Sequence, residues 1–108
     1  MIYDVKTISV FEKQARKLIK KYVSLKTELA QLIQHLKENP HEGTSLGNNC
    51  FKVRIAIASK GRGKSGGARV ITHFVISEHT VYLLNIYDKS EKNNITDQEL
   101  KELLKYIP

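Results

Sequence analysis

The chain has 108 residues, a formal net charge of +7 and one cysteine, which bounds it to a single domain with a modest core. A hydrophobic share of 41% excludes a disordered chain, and the lone Cys50 excludes an internal disulfide framework and reads as a small buried hydrophobe. No apolar run approaches membrane-spanning length and no secretory pattern opens the sequence, so a cytoplasmic setting without a membrane partner is expected.

Residues 2–6, IYDVK, read as a short first strand. SVFEKQARKLIKKY follows as a helix, with Ser9 and Glu12 placed for a capping box and Phe11, Ala15, Leu18, Ile19 and Tyr22 at helical spacing. Its Lys13, Arg16, Lys17, Lys20 and Lys21 form a second basic surface, either a contact for an anionic partner or a solvated face. Ser24 is placed to cap a second helix whose apolar stripe is Leu25, Leu29, Leu32, Ile33 and Leu36, and which Asn39-Pro40 ends. The short connection makes the two helices an antiparallel hairpin.

HEGTSLGNN is turn chemistry. FKVRIAIA then alternates, with Phe51, Val53, Ile55 and Ile57 toward the helices and Lys52, Arg54, Ala56 and Ala58 away from them. A glycine-rich loop leads to ARVITHFVIS, and TVYLLNIY follows a turn at Ser77–His79, so these three segments form an antiparallel meander. After the charged loop DKSEKNN, a last helix begins at Thr96, with Glu99 completing a capping box and Ile95 and Leu100 at staple positions. The order is β-α-α-β-β-β-α, an α+β fold with helices on one face of a mostly antiparallel sheet.

The charge is focal. Between Phe51 and Ser77 stand Lys52, Arg54, Lys60, Arg62, Lys64 and Arg69, with no acidic residue. Such a cluster repels itself unless an anionic partner balances it. Within it, GRGKS matches the end of a phosphate-binding loop, but Ala58 stands where the motif needs its first glycine. The loop also runs into β-branched sequence, whereas a triphosphate site needs a helix N-terminus there. The anion expected for Lys60, Arg62 and Lys64 is instead a nucleic-acid backbone. One cysteine and four scattered histidines lack zinc-ligand spacing, and the basic segment lacks paired carboxylates, so no metal, cofactor or small-molecule substrate is expected. RNA supplies its own nucleophile, the ribose 2′-OH. Arginine and lysine can then position the strand and stabilise phosphate charge, and a lysine whose pKa is lowered by like charges can act as a base.

The stretches CFKVRIAIASKGRGKSGGARVITHFV and VYLLNIYDKSEKNNIT resemble the RelE/ParE superfamily of bacterial toxins, in particular its RelE/HigB mRNA-interferase branch. The element order matches that fold over essentially the whole chain. The resemblance implies ribosome-dependent mRNA cleavage by 2′-OH attack, with the ribosome, mRNA and a cognate antitoxin as partners. Carried over by position, Lys52 is a candidate base or RNA contact, Arg54 a phosphate contact, and Arg69 the arginine that stabilises the transition state. Farther on, Ser90 stands where the family has an arginine, flanked by the candidates Lys89 and Lys92, and Thr96 stands where it has a tyrosine. That leaves the general acid unassigned. Tyr87 is either a base-stacking aromatic or a strand-end core residue. His73 follows Arg69 on the same strand face at about 13 Å, too far to share one phosphate, and reads as packed or partly exposed. Two other readings stay open: a ParE-like gyrase inhibitor without nuclease activity, and an inactive RNA-binding relative.

Overall fold

The structure, a computed structural model, describes residues 2–61, 63 and 66–108. Strand β1 (Asp4–Thr7) leads into the hairpin of α1 (Ser9–Lys21) and α2 (Leu25–Leu36). Strands β2 (Thr44–Gly47), β3 (Cys50–Ile55), β4 (Ala68–Val75) and β5 (Thr80–Asp88) follow, then α3 (Asp97–Leu104). The five strands form one sheet in the order β1-β5-β4-β3-β2. Only the β1–β5 pair is parallel.

The helices form where apolar spacing predicts, but two of their caps differ. Ser9 does not cap α1: the N-cap is Ile8, and Glu12 accepts instead from the Thr7 hydroxyl. Ser24 precedes α2 without a capping hydrogen bond, because its hydroxyl serves Glu28 and Ser59. At α3 the Thr96–Glu99 capping box is complete. In the core, Phe11 and Ala15 of α1 and Leu25, Leu29, Leu32 and Leu36 of α2 join Val53, Ile55, Val70, Phe74, Val81, Leu83 and Ile86 of the sheet.

Strand β2 is an addition to the expected meander, since Thr44–Gly47 was read as turn. It pairs with β3 through a two-residue turn in which Asn48 and Asn49 both have positive φ, 53° and 57°. That is the hairpin geometry that matches strand twist, and asparagine tolerates it. Strand β3 ends at Ile55, earlier than the alternation predicted, because residues 58–60 wind into a 3-10 turn.

Directly opposed residues of an antiparallel pair point to the same face. Val53 opposes Val70, and Val70 opposes Ile86, so these face the helical hairpin. Lys52, Ile71 and Asn85 form a row on the other face, as do Arg54, Arg69 and Tyr87. Helix α3 lies over that second face, where Leu100 and Leu104 border Leu46, and Ile71 beneath is fully buried. The helices therefore sandwich the sheet instead of sharing one face, as the chain order alone suggested.

Candidate active site

Three adjacent strands build the site. The register places Arg54, Arg69 and Tyr87 side by side on β3, β4 and β5, with neighbouring Cα atoms about 5 Å apart. Lys52 stands one pleat away on the same face as Arg54, and its ammonium donates to Asn94 Oδ1 at 3.4 Å. Arg54 is exposed, whereas Arg69 is buried, 5% exposed, and donates to the Ala68 carbonyl at 3.1 Å. Burial and then the charge of Arg54 press the Arg69 pKa below its ordinary value, against a smaller opposing effect of Tyr87. A guanidinium still keeps its proton under such pressure. The arrangement therefore holds two permanent positive charges close together, one exposed and one buried.

Tyr87 completes the row. Burial raises its pKa, Arg69 opposes that and Glu99 adds to it. Its hydroxyl is buried with no hydrogen-bond partner among the described residues, and Asn85 Oδ1 in the adjacent row is in the same state. Gly67 brings the β4 entry against β3: a Cβ there would lie 2.0 Å from the Ile55 carbonyl oxygen, so any larger residue pushes apart the strands that carry Arg54 and Arg69.

The other expected site residues divide. Lys89 directly follows β5, and its backbone N–H donates to Gly67 O at 3.0 Å beside the start of β4. Its ammonium folds onto Asn93, 2.8 Å from the carbonyl and 2.6 Å from Oδ1. Lys92 is held by Glu99 at the start of α3. Lys60 turns to the opposite face and binds Asp88 at 2.5 Å. Arg62 and Lys64 lie outside the described residues. His73 sits opposite Cys50 with Nδ1 3.3 Å from Sγ. Burial lowers the His73 pKa and pushes the Cys50 thiol up to about 11, so this pair is neutral.

A model of the RelE toxin of the RelE/RelB toxin–antitoxin system matches residues 5–107. The chain belongs to the RelE toxin family. Solved structures of similar fold include an arginine-to-alanine double mutant of E. coli RelE in the free state, at 17% identity and TM-score 0.67, with all of both chains covered. The intact E. coli RelBE toxin–antitoxin complex matches at 17% identity and TM-score 0.63, over 80% of this chain and 95% of that one. The RelBE2 toxin–antitoxin complex of Mycobacterium tuberculosis matches at 17% identity and TM-score 0.56, over 82% and 92%.

Within this RelE fold, sequence reasoning missed Asp88. The carboxylate was assigned to the charged loop after β5, yet it is the last residue of that strand and is buried. The sequence offers no signal for it, because an Asp after the apolar run YLLNIY is also what opens a solvated turn. Among the described residues, no helix is long and apolar enough to cross a membrane.

Proposed function

We propose that this protein is the toxin of a toxin–antitoxin pair and a metal-independent endoribonuclease acting on mRNA at the ribosome, in the cytoplasm. The observation that carries the reading is the Arg54–Arg69 pair, two guanidiniums on opposed strand positions, one of them desolvated. A phosphodiester seated across them relieves their repulsion, and the low-dielectric surroundings of Arg69 strengthen its hold on the extra charge of the transition state.

In the reaction, the ribose 2′-oxygen attacks the adjacent phosphorus while the bond to the 5′-oxygen of the next nucleotide breaks. The products are a 2′,3′-cyclic phosphate and a free 5′-hydroxyl. Lys52, on the face of Arg54, is the candidate acceptor of the 2′-OH proton. Tyr87 and Lys89, on the other side of Arg69, are the candidates to protonate the leaving oxygen. The antitoxin reading rests on family membership and on the two similar structures solved as toxin–antitoxin complexes.

The test is expression of wild type and Arg69→Ala, with primer extension on translated mRNA. Codon-phased cuts that vanish in the variant support the reading. Growth arrest with intact mRNA and inhibited gyrase would replace it with the ParE-like one.

A further inference from the structure

Asp88 is a buried carboxylate that the cleavage chemistry does not use. Its side chain is fully buried on the helix-hairpin face of the sheet, back to back with Tyr87. Four donors converge on it: Lys60 Nζ at 2.5 Å, Tyr22 Oη at 2.7 Å, and Ser90 through its N–H at 2.9 Å and its hydroxyl at 2.8 Å. They come from two segments remote in sequence, the 3-10 turn at Ala58–Lys60 and the end of α1, and from the loop that directly follows β5. Burial alone would raise the Asp88 pKa, but the hydrogen bonds from Lys60, Tyr22 and Ser90 outweigh it and hold the carboxyl well below the ordinary range.

The surroundings reinforce the junction. Lys60 also donates to Ser90 Oγ at 3.0 Å, and its ammonium lies 5.5 Å from the Tyr22 ring centre, within cation–π range. Two residues earlier, Ala58 N–H donates to Glu28 at 2.8 Å, and Ser59 N–H donates to Ser24 Oγ at 2.9 Å. The root of the basic β3–β4 loop is thus fixed to the helical hairpin on one side and to the end of β5 on the other. Asp88 itself opposes Ala68, the neighbour of Arg69.

We propose that Asp88 is a positioning residue: it fixes the two segments that flank the arginine row, residues 58–61 and 89–92. Lys60 is then an anchor of its loop and not an RNA contact. Ser90, which replaces a family arginine, belongs to the anchor and not to the reacting face. The effect on catalysis rests on the nuclease reading above; the effect on loop order does not.

The experiment compares wild type, Asp88→Asn, Asp88→Glu and the double variant Asp88→Asn with Lys60→Met. Hydrogen exchange is measured segment by segment, and cleavage of ribosome-bound mRNA at saturation. Amides of 58–61 and 89–92 are expected to exchange about ten- to a hundredfold faster in Asp88→Asn, the loss of hydrogen bonds to a charged group, while α2 keeps its protection. kcat is expected to fall more than KM changes, with partial rescue by Asp88→Glu. Should Asp88→Asn fail to fold, the double variant removes the stranded ammonium as well and carries the same expectation. Unchanged exchange in both loops of a folded variant would overturn the proposal, as would released loops with wild-type kcat. If wild type cuts no mRNA, the nuclease reading fails, and the exchange data still decide whether Asp88 fixes the loops.

Discussion

Tyr87 and Asp88 are neighbours in sequence, yet they stand on opposite faces of the sheet in opposite chemical surroundings. Asp88 has every valence answered: an ammonium, a phenol, a hydroxyl and a backbone amide close on it. Tyr87 stands beside Arg69 and Arg54 with its hydroxyl buried and without a partner among the described residues. A saturated buried charge holds segments together, whereas an unanswered hydroxyl beside two cations marks a candidate functional site. On the proposed function, the difference separates the part of the molecule that supports from the part that acts.

The comparison breaks most decisively at the supporting side. Removing one partner of a buried charge pair costs about 3–5 kcal/mol, so Asp88→Asn is expected to lose that much stability at neutral pH. A carboxyl whose folded pKa is depressed stabilises the fold above its unfolded value near pH 4, and that contribution is lost as pH falls through the folded value. The gap between wild type and variant should therefore start to close below about pH 4, followed by denaturant unfolding at a series of pH values. A gap that stayed constant on acidification would remove Asp88 from its supporting role.

On the acting side, Arg69→Ala is expected to lower cleavage about 10²- to 10³-fold, the scale for one donor aimed at transition-state charge. Its melting temperature should shift less than that of Asp88→Asn, because burial and repulsion from Arg54 already work against the residue. Gly67→Ala joins the two sides. Its Cβ collides with the Ile55 carbonyl, so it should cost about 1–3 kcal/mol in thermal unfolding and lower cleavage by displacing β4 from β3. The smallest contrast is between two hydroxyls. Tyr22→Phe should cost about 1.5–3 kcal/mol, as for a hydrogen bond to a charged group. Tyr87→Phe should leave stability within about 0.5 kcal/mol, because it removes an unanswered polar atom. Equal shifts in the two melting curves would erase the distinction between the faces.

Much of this was legible in the sequence, for reasons that also mark the limit. Periodicity located all three helices, and the alternation of FKVRI set Lys52 and Arg54 on the face that β4 completes with Arg69. Strand β2 was missed because four residues flanked by glycine and asparagine carry almost no pattern, although the two asparagines were its signal. The inward turn of Lys60 was not legible, because it depends on a contact 28 residues away. Local pattern says that a lysine on a glycine-rich loop is solvated, and only tertiary structure supplies the buried carboxylate that draws it in. The sandwiching of the sheet by α3 was hidden likewise, since helical spacing gives a buried face but not the side on which it docks.

The sheet order has a consequence for synthesis. Strand β5 lies between β1 and β4, pairing Asp4 with Thr80 on one edge and Arg69 with Tyr87 on the other. Until residues 80–88 leave the exit tunnel, the first strand has nothing to pair with and the arginine row lacks its third member. Such long-range closure is slow, because the chain entropy of a large loop is lost before any contact repays it. A nascent chain therefore passes most of its translation with the arginine row incomplete, and the row closes only when the last strand arrives.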